Sequence, residues 1–317
     1  MNKNILIRCD ASKEIGLGHI TRCLVLANKF RSDGYNVYFV IKNYEIAIEK
    51  LKEQQFNMLI AEYDFDYFNW IEEIIEGKKI DIFIGDVRDG FPIELISYMK
   101  SKNILTVAID EPSSYAKECD ICFYPPHAII DKTKYKGKVY QGLEYVILRY
   151  EFYEKFEKVK NEIPNVLVMM GGTDAYNLTL PVIKKIDTCK ENFEIRIILS
   201  EKHKDLDFLN EFLKISNHKV VIYNKVENIA SFLNNIDFAI SQFGTVAYEY
   251  LAKNIPAIYI HNKKESINNY NYFIKNRYAL LTEINSIDIQ KLFNLSYERL
   301  EFTCRIYDLI KKVDDEI

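Results

Sequence analysis

What most constrains this chain is a rhythm, set out twice, in which short apolar runs alternate with stretches whose apolar residues recur at helical spacing. "NILIRCD" (4–10) is a short apolar run. "HITRCLVLANKFRSDG" (19–34) then places Ile20, Cys23, Leu24, Leu26, Ala27 and Phe30 on one helical face, and Gly34 stands where a helix C-cap belongs. "NVYFVIK" (36–42) reads as a second strand. Strand, helix and strand in so few residues form a βαβ unit, whose crossover requires parallel strands.

The pattern continues through a helix at 68–77, a strand at 81–86, a helix at 93–102, a strand at 104–110 and a short strand at 121–124, with "KVYQGLEYVIL" (138–148) following. Near Arg149 the text changes to "RYEFYEKFEKVKNEIP", read as a charged helical connector. The cycle restarts at "NVLVMMGGTD" (165–174). Helices are expected at 176–186, 228–236 and 245–254, and strands at 193–199, 219–224, 237–241 and 256–260. The tail from Tyr297 reads as a terminal helix that packs back on the chain. The expectation is α/β throughout, with an N-terminal domain over 1–155, a second over 156–300 and a C-terminal helix over 301–317; 317 residues suit two domains.

Composition excludes several classes. Apolar residues at 48% and charged residues at 28% describe an ordinary globular chain rather than a disordered one. A net charge of −4 argues against wholesale nucleic-acid binding. "MNKNILIRCD" is interrupted too early by Arg8 and Asp10 for a signal peptide, and no stretch reaches the ~18 apolar residues of a membrane span. A cytoplasmic protein with six reduced cysteines is expected. Cys119 and Cys122 form a single Cys-x-x-Cys; without a second pair they read as small apolar fillers of a buried strand. The five histidines show no metal-binding spacing.

In open parallel sheets, ligands collect outside the carboxyl ends of strands. Three loops fall there. In "RCDASKEIGLGHITR", Gly16 and Gly18 let backbone N–H groups approach an anion at a helix start, and His19 stands at that mouth, able to exchange protons near neutrality. The alternative is that His19 caps its own helix and the glycines only make a turn. In "VMMGGTDAYN", Gly171 and Gly172 follow a strand, with Thr173 and Asp174 suited to cap the next helix. In "SQFGTVAYEYLAKN", Gly244 and Thr245 open a helix, and Glu249 one turn on can accept from a ribose diol or be an ordinary surface charge. Asp86, Arg88 and Asp89, and Asp110 with Glu111, end strands and suit either a ligand or a solvated loop; His127 and His261 read as loop residues.

Together, "RCDASKEIGLGHITRCLVLA", "MGGTDAYNLTL" and "GTVAYEYLAKNIPAI" resemble the nucleotide-sugar hydrolases of pseudaminic acid biosynthesis, the PseG type, and the related SpsG-type spore-coat polysaccharide proteins. The last two motifs are also similar to those of GT-B glycosyltransferases of the MurG type. The resemblance implies a GT-B fold, two Rossmann-like domains facing each other across a cleft that holds a UDP-sugar. It implies an inverting hydrolase of the UDP-2,4-diacetamido-2,4,6-trideoxyhexose class that uses no metal and no other cofactor. His19 would activate water, Gly16, Gly18, Gly171, Gly172, Thr173, Gly244, Thr245 and Glu249 would serve the nucleotide, and Asp10, Asp86, Arg88 and Lys263 the sugar. Arg88 stands where the family carries tyrosine, and Lys263 with Lys264 where it carries an Asn-Gln pair. The same residues suit a glycosyltransferase with an acceptor hydroxyl in place of water, or a non-catalytic nucleotide-sugar-binding protein. The expected partners are a nucleotide-sugar and other enzymes of a glycan pathway, with no nucleic acid and no membrane span.

Overall fold

The computed structural model describes residues 3–12, 15–61, 66–88, 90–110, 112–171, 174, 176–199, 203, 206–261 and 267–316. They form two compact units, Met1–Arg149 with Thr303–Ile317, and Tyr150–Phe302.

The first unit is built on seven parallel strands: β1 (Asn4–Cys9), β2 (Asn36–Ile41), β3 (Asn57–Ile60), β4 (Ile82–Asp86), β5 (Leu105–Ile109), β6 (Ile121–Tyr124) and β7 (Lys138–Gln141). Their order is β3-β2-β1-β4-β5-β6-β7, so the chain leaves β1 in one direction and returns to its other side with β4. The crossovers are α1 (Gly18–Ser32), α2 (Glu45–Glu53), α3 (Tyr67–Lys78) and α4 (Ile93–Ser101). Side chains alternate across each strand. Ile5 and Ile7 of β1 therefore join a core with Cys23, Ala27 and Phe30 of α1. Leu6 joins the opposite core with Ile71 and Ile75 of α3 and Leu95 and Met99 of α4. Helices on both faces explain why β4 and β5 are buried throughout and read as continuous apolar runs.

The second unit repeats the plan with six parallel strands: β8 (Asn165–Met169), β9 (Glu194–Ile198), β10 (Lys219–Tyr223), β11 (Phe238–Ser241), β12 (Ala257–Ile260) and β13 (Ala279–Thr282). The order β10-β9-β8-β11-β12-β13 again reverses beside the unit's first strand. The helices are α5 (Thr179–Ile186), α6 (Leu206–Phe212), α7 (Ile229–Leu233), α8 (Val246–Ala252), α9 (Asn271–Lys275) and α10 (Ile289–Phe293).

The last helix, α11 (Ile306–Glu316), packs on the first unit, where Ile306, Tyr307 and Ile310 join the α1 core. Tyr307 lies 4.8 Å from Phe30, centroid to centroid, and Lys3 pairs with Asp314 at 2.7 Å. Burying isoleucines of this kind contributes about 1.5–3 kcal/mol each.

The structure corrects the sequence reading in three places. The terminal helix begins only at Ile306, and residues 297–305 before it are irregular. The connector after Arg149 is not helical: it makes one 3-10 turn at Tyr150–Phe152 and then runs irregularly to Pro164. Tertiary contacts outweigh its helix-forming composition. Phe152 is buried, Lys158 donates to the Asn254 carbonyl at 2.9 Å, and the Lys253 ammonium sits 4.3 Å from the centre of the Phe156 ring. The elements α2, β3, α6, α9, β13 and α10 are additional to those expected from the sequence; β3, an edge strand, buries none of its residues fully. Among the described residues, no helix is long and apolar enough to cross a membrane.

Candidate active site

In the first unit the sheet reverses between β1 and β4, the position where open α/β sheets leave a crevice for ligands. A cavity of about 340 Å³ opens there, lined by Asp10, Ser12, His19, Lys42, Asp86 and Arg88 among others. Four of the residues singled out from the sequence, Asp10, His19, Asp86 and Arg88, thus come together.

The turn before α1 depends on glycine. Gly16 adopts φ 70°, in the left-handed region, and its N–H bonds the Ser12 carbonyl at 2.9 Å. Gly18 begins α1, and Leu17 precedes it without a side-chain cap. His19 does not cap its helix. Its Nδ1 points to the Oδ1 of Asp86 at 2.7 Å, and the ring is 6% exposed.

Arg22, one turn along α1, completes the cluster. Its Nε and Nη2 each lie 2.5 Å from an oxygen of Asp86, and Nη1 donates to Asp110. Burial of Asp86 opposes its ionisation, but Arg22 and His19 more than offset that and hold the carboxyl well below the usual carboxylate range. Burial likewise works against the charge of Arg22, while Asp86 and Asp110 overcome it and keep the guanidinium protonated. The Nδ1 of His19 also lies 2.8 Å from Arg22 Nη2. A guanidinium only donates, so Nδ1 cannot accept from Arg22 while donating to Asp86. The ionised, nearer carboxylate is the stronger partner and assigns a proton to Nδ1, so that in the neutral ring the lone pair is on Nε2. Among the described residues, none hydrogen-bonds Nε2.

Asp10 is held from behind. Arg8, fully buried in β1, donates to its Oδ2 at 2.6 Å and to Tyr67 at 2.7 Å, while the Lys42 N–H donates to Oδ1 at 2.8 Å. Asp10 therefore ties the ends of β1 and β2 together at the cavity wall. Asp110 adopts φ 59°, and its N–H bonds the Phe123 carbonyl at 2.9 Å. His127 is drawn into the same neighbourhood: burial lowers its proton affinity, Asp110 opposes that, and Arg88 and Arg22 add to it.

Sequence reasoning passed over Arg22, Arg8 and Lys42. The available signal for Arg22 was its spacing, three residues after His19 and so on the same helical face, beside the apolar Cys23 and Ala27. Cys119 and Cys122 are free, buried thiols as expected; burial pushes Cys122 up to about 12. Among the described residues, no group of three or more His, Cys, Asp or Glu side chains is placed to hold a metal ion.

The second unit has its own switch point, between β8 and β11. The carboxyl ends of these two strands lie side by side, tied by the Ser241 hydroxyl donating to the Met169 carbonyl at 2.7 Å. Gly171 takes φ 78° after β8, and Gly244 and Thr245 lead into α8 beyond β11. Glu249 is 9% exposed, so it is not an ordinary surface charge. Asp174 precedes α5, whose N-cap position is Leu178: its oxygens accept from the N–H groups of Leu178 and Thr179 at 2.8 and 3.0 Å, and His203 Nε2 lies 3.2 Å away. His261 lies at the end of β12, its ring 6.0 Å from that of Tyr270. Asp89, Glu111, Gly172, Thr173, Lys263 and Lys264 lie outside the described residues.

Two parallel α/β units, each reversing beside its first strand, place the chain in the GT-B fold class. MurG of Acinetobacter baumannii superimposes with a TM-score of 0.72 at 13% identity, over 99% of this chain and 100% of that one. Residues 165–314 match the family profile of the Glycosyltransferase family 28 C-terminal domain. Among curated proteins, an uncharacterized protein of Methanocaldococcus jannaschii is 30% identical over 292 residues, 86% of this chain; the chain spans 58% of that relative's length. The UDP-2,4-diacetamido-2,4,6-trideoxy-beta-L-altropyranose hydrolase of Campylobacter jejuni is 26% identical over 271 residues, 83% of this chain and 94% of that protein.

Proposed function

We propose that the chain is a nucleotide-sugar enzyme that hydrolyses a UDP-sugar of the diacetamido-trideoxyhexose class with inversion, His19 acting as general base. The observation that carries this reading is the His19–Asp86 contact of 2.7 Å at the cavity, with Nε2 left to accept. Water placed at Nε2 gives its proton to the ring as its oxygen bonds the anomeric carbon. The bond from that carbon to the diphosphate oxygen breaks, and its electron pair leaves with the nucleotide. Asp86 offsets the charge that the ring gains, as the aspartate of a hydrolase triad does. Asp10 and Arg88 are assigned to the sugar, and Gly171, Gly244, Thr245 and Glu249 to the nucleotide. The similarity to the Campylobacter hydrolase, over most of both chains, supports the reaction class.

A second reading, a glycosyltransferase in which an acceptor hydroxyl replaces water, is favoured by the family profile over residues 165–314. The protein is incubated with UDP- and CMP-sugars, with and without sugar acceptors, while free nucleotide is measured. Hydrolysis predicts release without acceptor, reduced about 10²- to 10⁴-fold in His19→Ala. Release that requires acceptor selects the transferase, and no release from any donor sinks both in favour of a binding protein.

A further inference from the structure

The proposed reaction gives His19 and Asp86 their tasks and leaves Arg22 without one. We infer that Arg22 is the positioning residue of this site: its guanidinium fixes the Asp86 carboxylate so that His19 carries its proton on Nδ1 and presents Nε2 as the base.

The geometry supports this at three points. Nε and Nη2 take the two oxygens of Asp86 side-on, both at 2.5 Å, so the planar fork sets the rotation of the carboxylate. Nη1 reaches Asp110, whose own backbone is anchored by the bond from its N–H to Phe123 at 2.9 Å, so the guanidinium cannot turn without breaking a contact at each end. Arg22 and His19 share one face of α1, and the carboxylate they meet closes β4. A lysine at this position supplies a point charge and cannot span three acceptors in one plane.

Asp86 is fully buried, and an isolated carboxylate there demands a counter-charge. Arg22 meets that demand through two contacts of 2.5 Å; in its absence His19 is the nitrogen donor left on the carboxylate among the described residues, and the demand for counter-charge falls on the ring. Among the described residues, two thiols and a phenol also lie close to Asp86: Cys23 of α1, with Sγ 3.5 Å from Oδ2, Cys9 of β1, opposite Asp86 in the sheet, and Tyr115 after β5, while Asp10, Lys42 and Arg88 line the same cavity. Burial pushes the Cys23 and Tyr115 hydrogens further from release, so neither replaces the guanidinium. Beyond Arg22 stand Asp110, His127 and Arg88.

The kinetic part of this inference rests on the nucleotide-sugar reading; the spectroscopic part does not. Ring ¹⁵N chemical shifts of His19, assigned by comparison with His19→Gln, are read at neutral pH without substrate. The wild type is expected to show Nδ1–H with unprotonated Nε2, and Arg22→Met to show both nitrogens protonated. With substrate, Arg22→Met is expected to lower kcat about 100-fold with KM within about twofold, and added guanidinium ion to restore part of kcat. An Nε2–H ring in the wild type overturns the inference, and needs no variant that must fold. An unchanged His19 spectrum in an Arg22→Met protein with native circular dichroism overturns it too. If the tautomer responds as stated while the wild type releases no nucleotide from any donor, the positioning role stands and the proposed reaction falls.

Discussion

The two units of this chain share one topology and use its switch point differently. Each sets a buried carboxylate against a histidine past a strand end: Asp86 with His19 at 2.7 Å in the first, Asp174 with His203 at 3.2 Å in the second. The surroundings of the two carboxylates separate their roles. Asp174 spends its oxygens on the Leu178 and Thr179 amides where α5 opens, which satisfies backbone donors. Asp86 caps nothing; a guanidinium and an imidazole hold it, so it can orient a ring and balance a charge. Burial and a neighbouring histidine are common to both, so neither separates the role proposed for Asp86 from that of Asp174. What the remaining oxygen contacts are made of distinguishes them.

Substituting these carboxylates tests the contrast. Asp86→Asn is expected to have the largest effect: turnover falls on the order of 10⁴-fold, as when the equivalent exchange misdirects a triad histidine. It also lowers unfolding stability by about 3 kcal/mol, because Arg22 stays buried with Asp110 as its remaining acid partner. Nucleotide release and urea denaturation check the two parts. A variant with near-normal turnover would remove Asp86 from the reaction. Asp174→Asn should cost about 1–2 kcal/mol by the same denaturation measurement, through one lost amide contact, and change kcat less than Asp86→Asn does. Equal losses of kcat in the two variants would erase the difference drawn between the units.

The smallest effect concerns α11, which packs on the first unit. Asp33, at the end of α1, accepts from Tyr307 and, at 3.1 Å, from Lys311. The Tyr307 hydroxyl first and the Lys311 ammonium second lower its carboxyl to about 2. The folded-state value lies below the unfolded one, so this contribution is complete above about pH 4 and fades as pH falls toward 2. The stability difference between wild type and Asp33→Asn should therefore shrink between pH 5 and pH 2. A difference that holds constant over that range would show that the Asp33 contact is not what α11 relies on.

How far the sequence alone could be read depends on which interactions decide each feature. The α/β class was legible because strands buried on both faces must be apolar throughout, as "DIFIGD" and "ILTVAID" are. The edge strand β3 and the docked connector after Arg149 were not, because their conformation follows from neighbours far along the chain. At the site, Gly16, His19 and Asp86 stood out because turn chemistry and strand ends leave local marks. The tie that Asp10 makes between β1 and β2 did not, since it depends on Arg8 and on the Lys42 amide.

By itself, the sequence determined that two parallel α/β sheets form and that their loops gather at the carboxyl ends of the strands, because burial on both faces and crossover connections allow little else. Only the tertiary structure decided that residues 19, 22, 86 and 110 meet. They come from α1 and from the ends of β4 and β5, and the order in which strands lie in the sheet brings them together. Periodicity reports which face of an element is buried, whereas the partner of a buried charge is set by distances between elements, and those exist only once the sheet has formed.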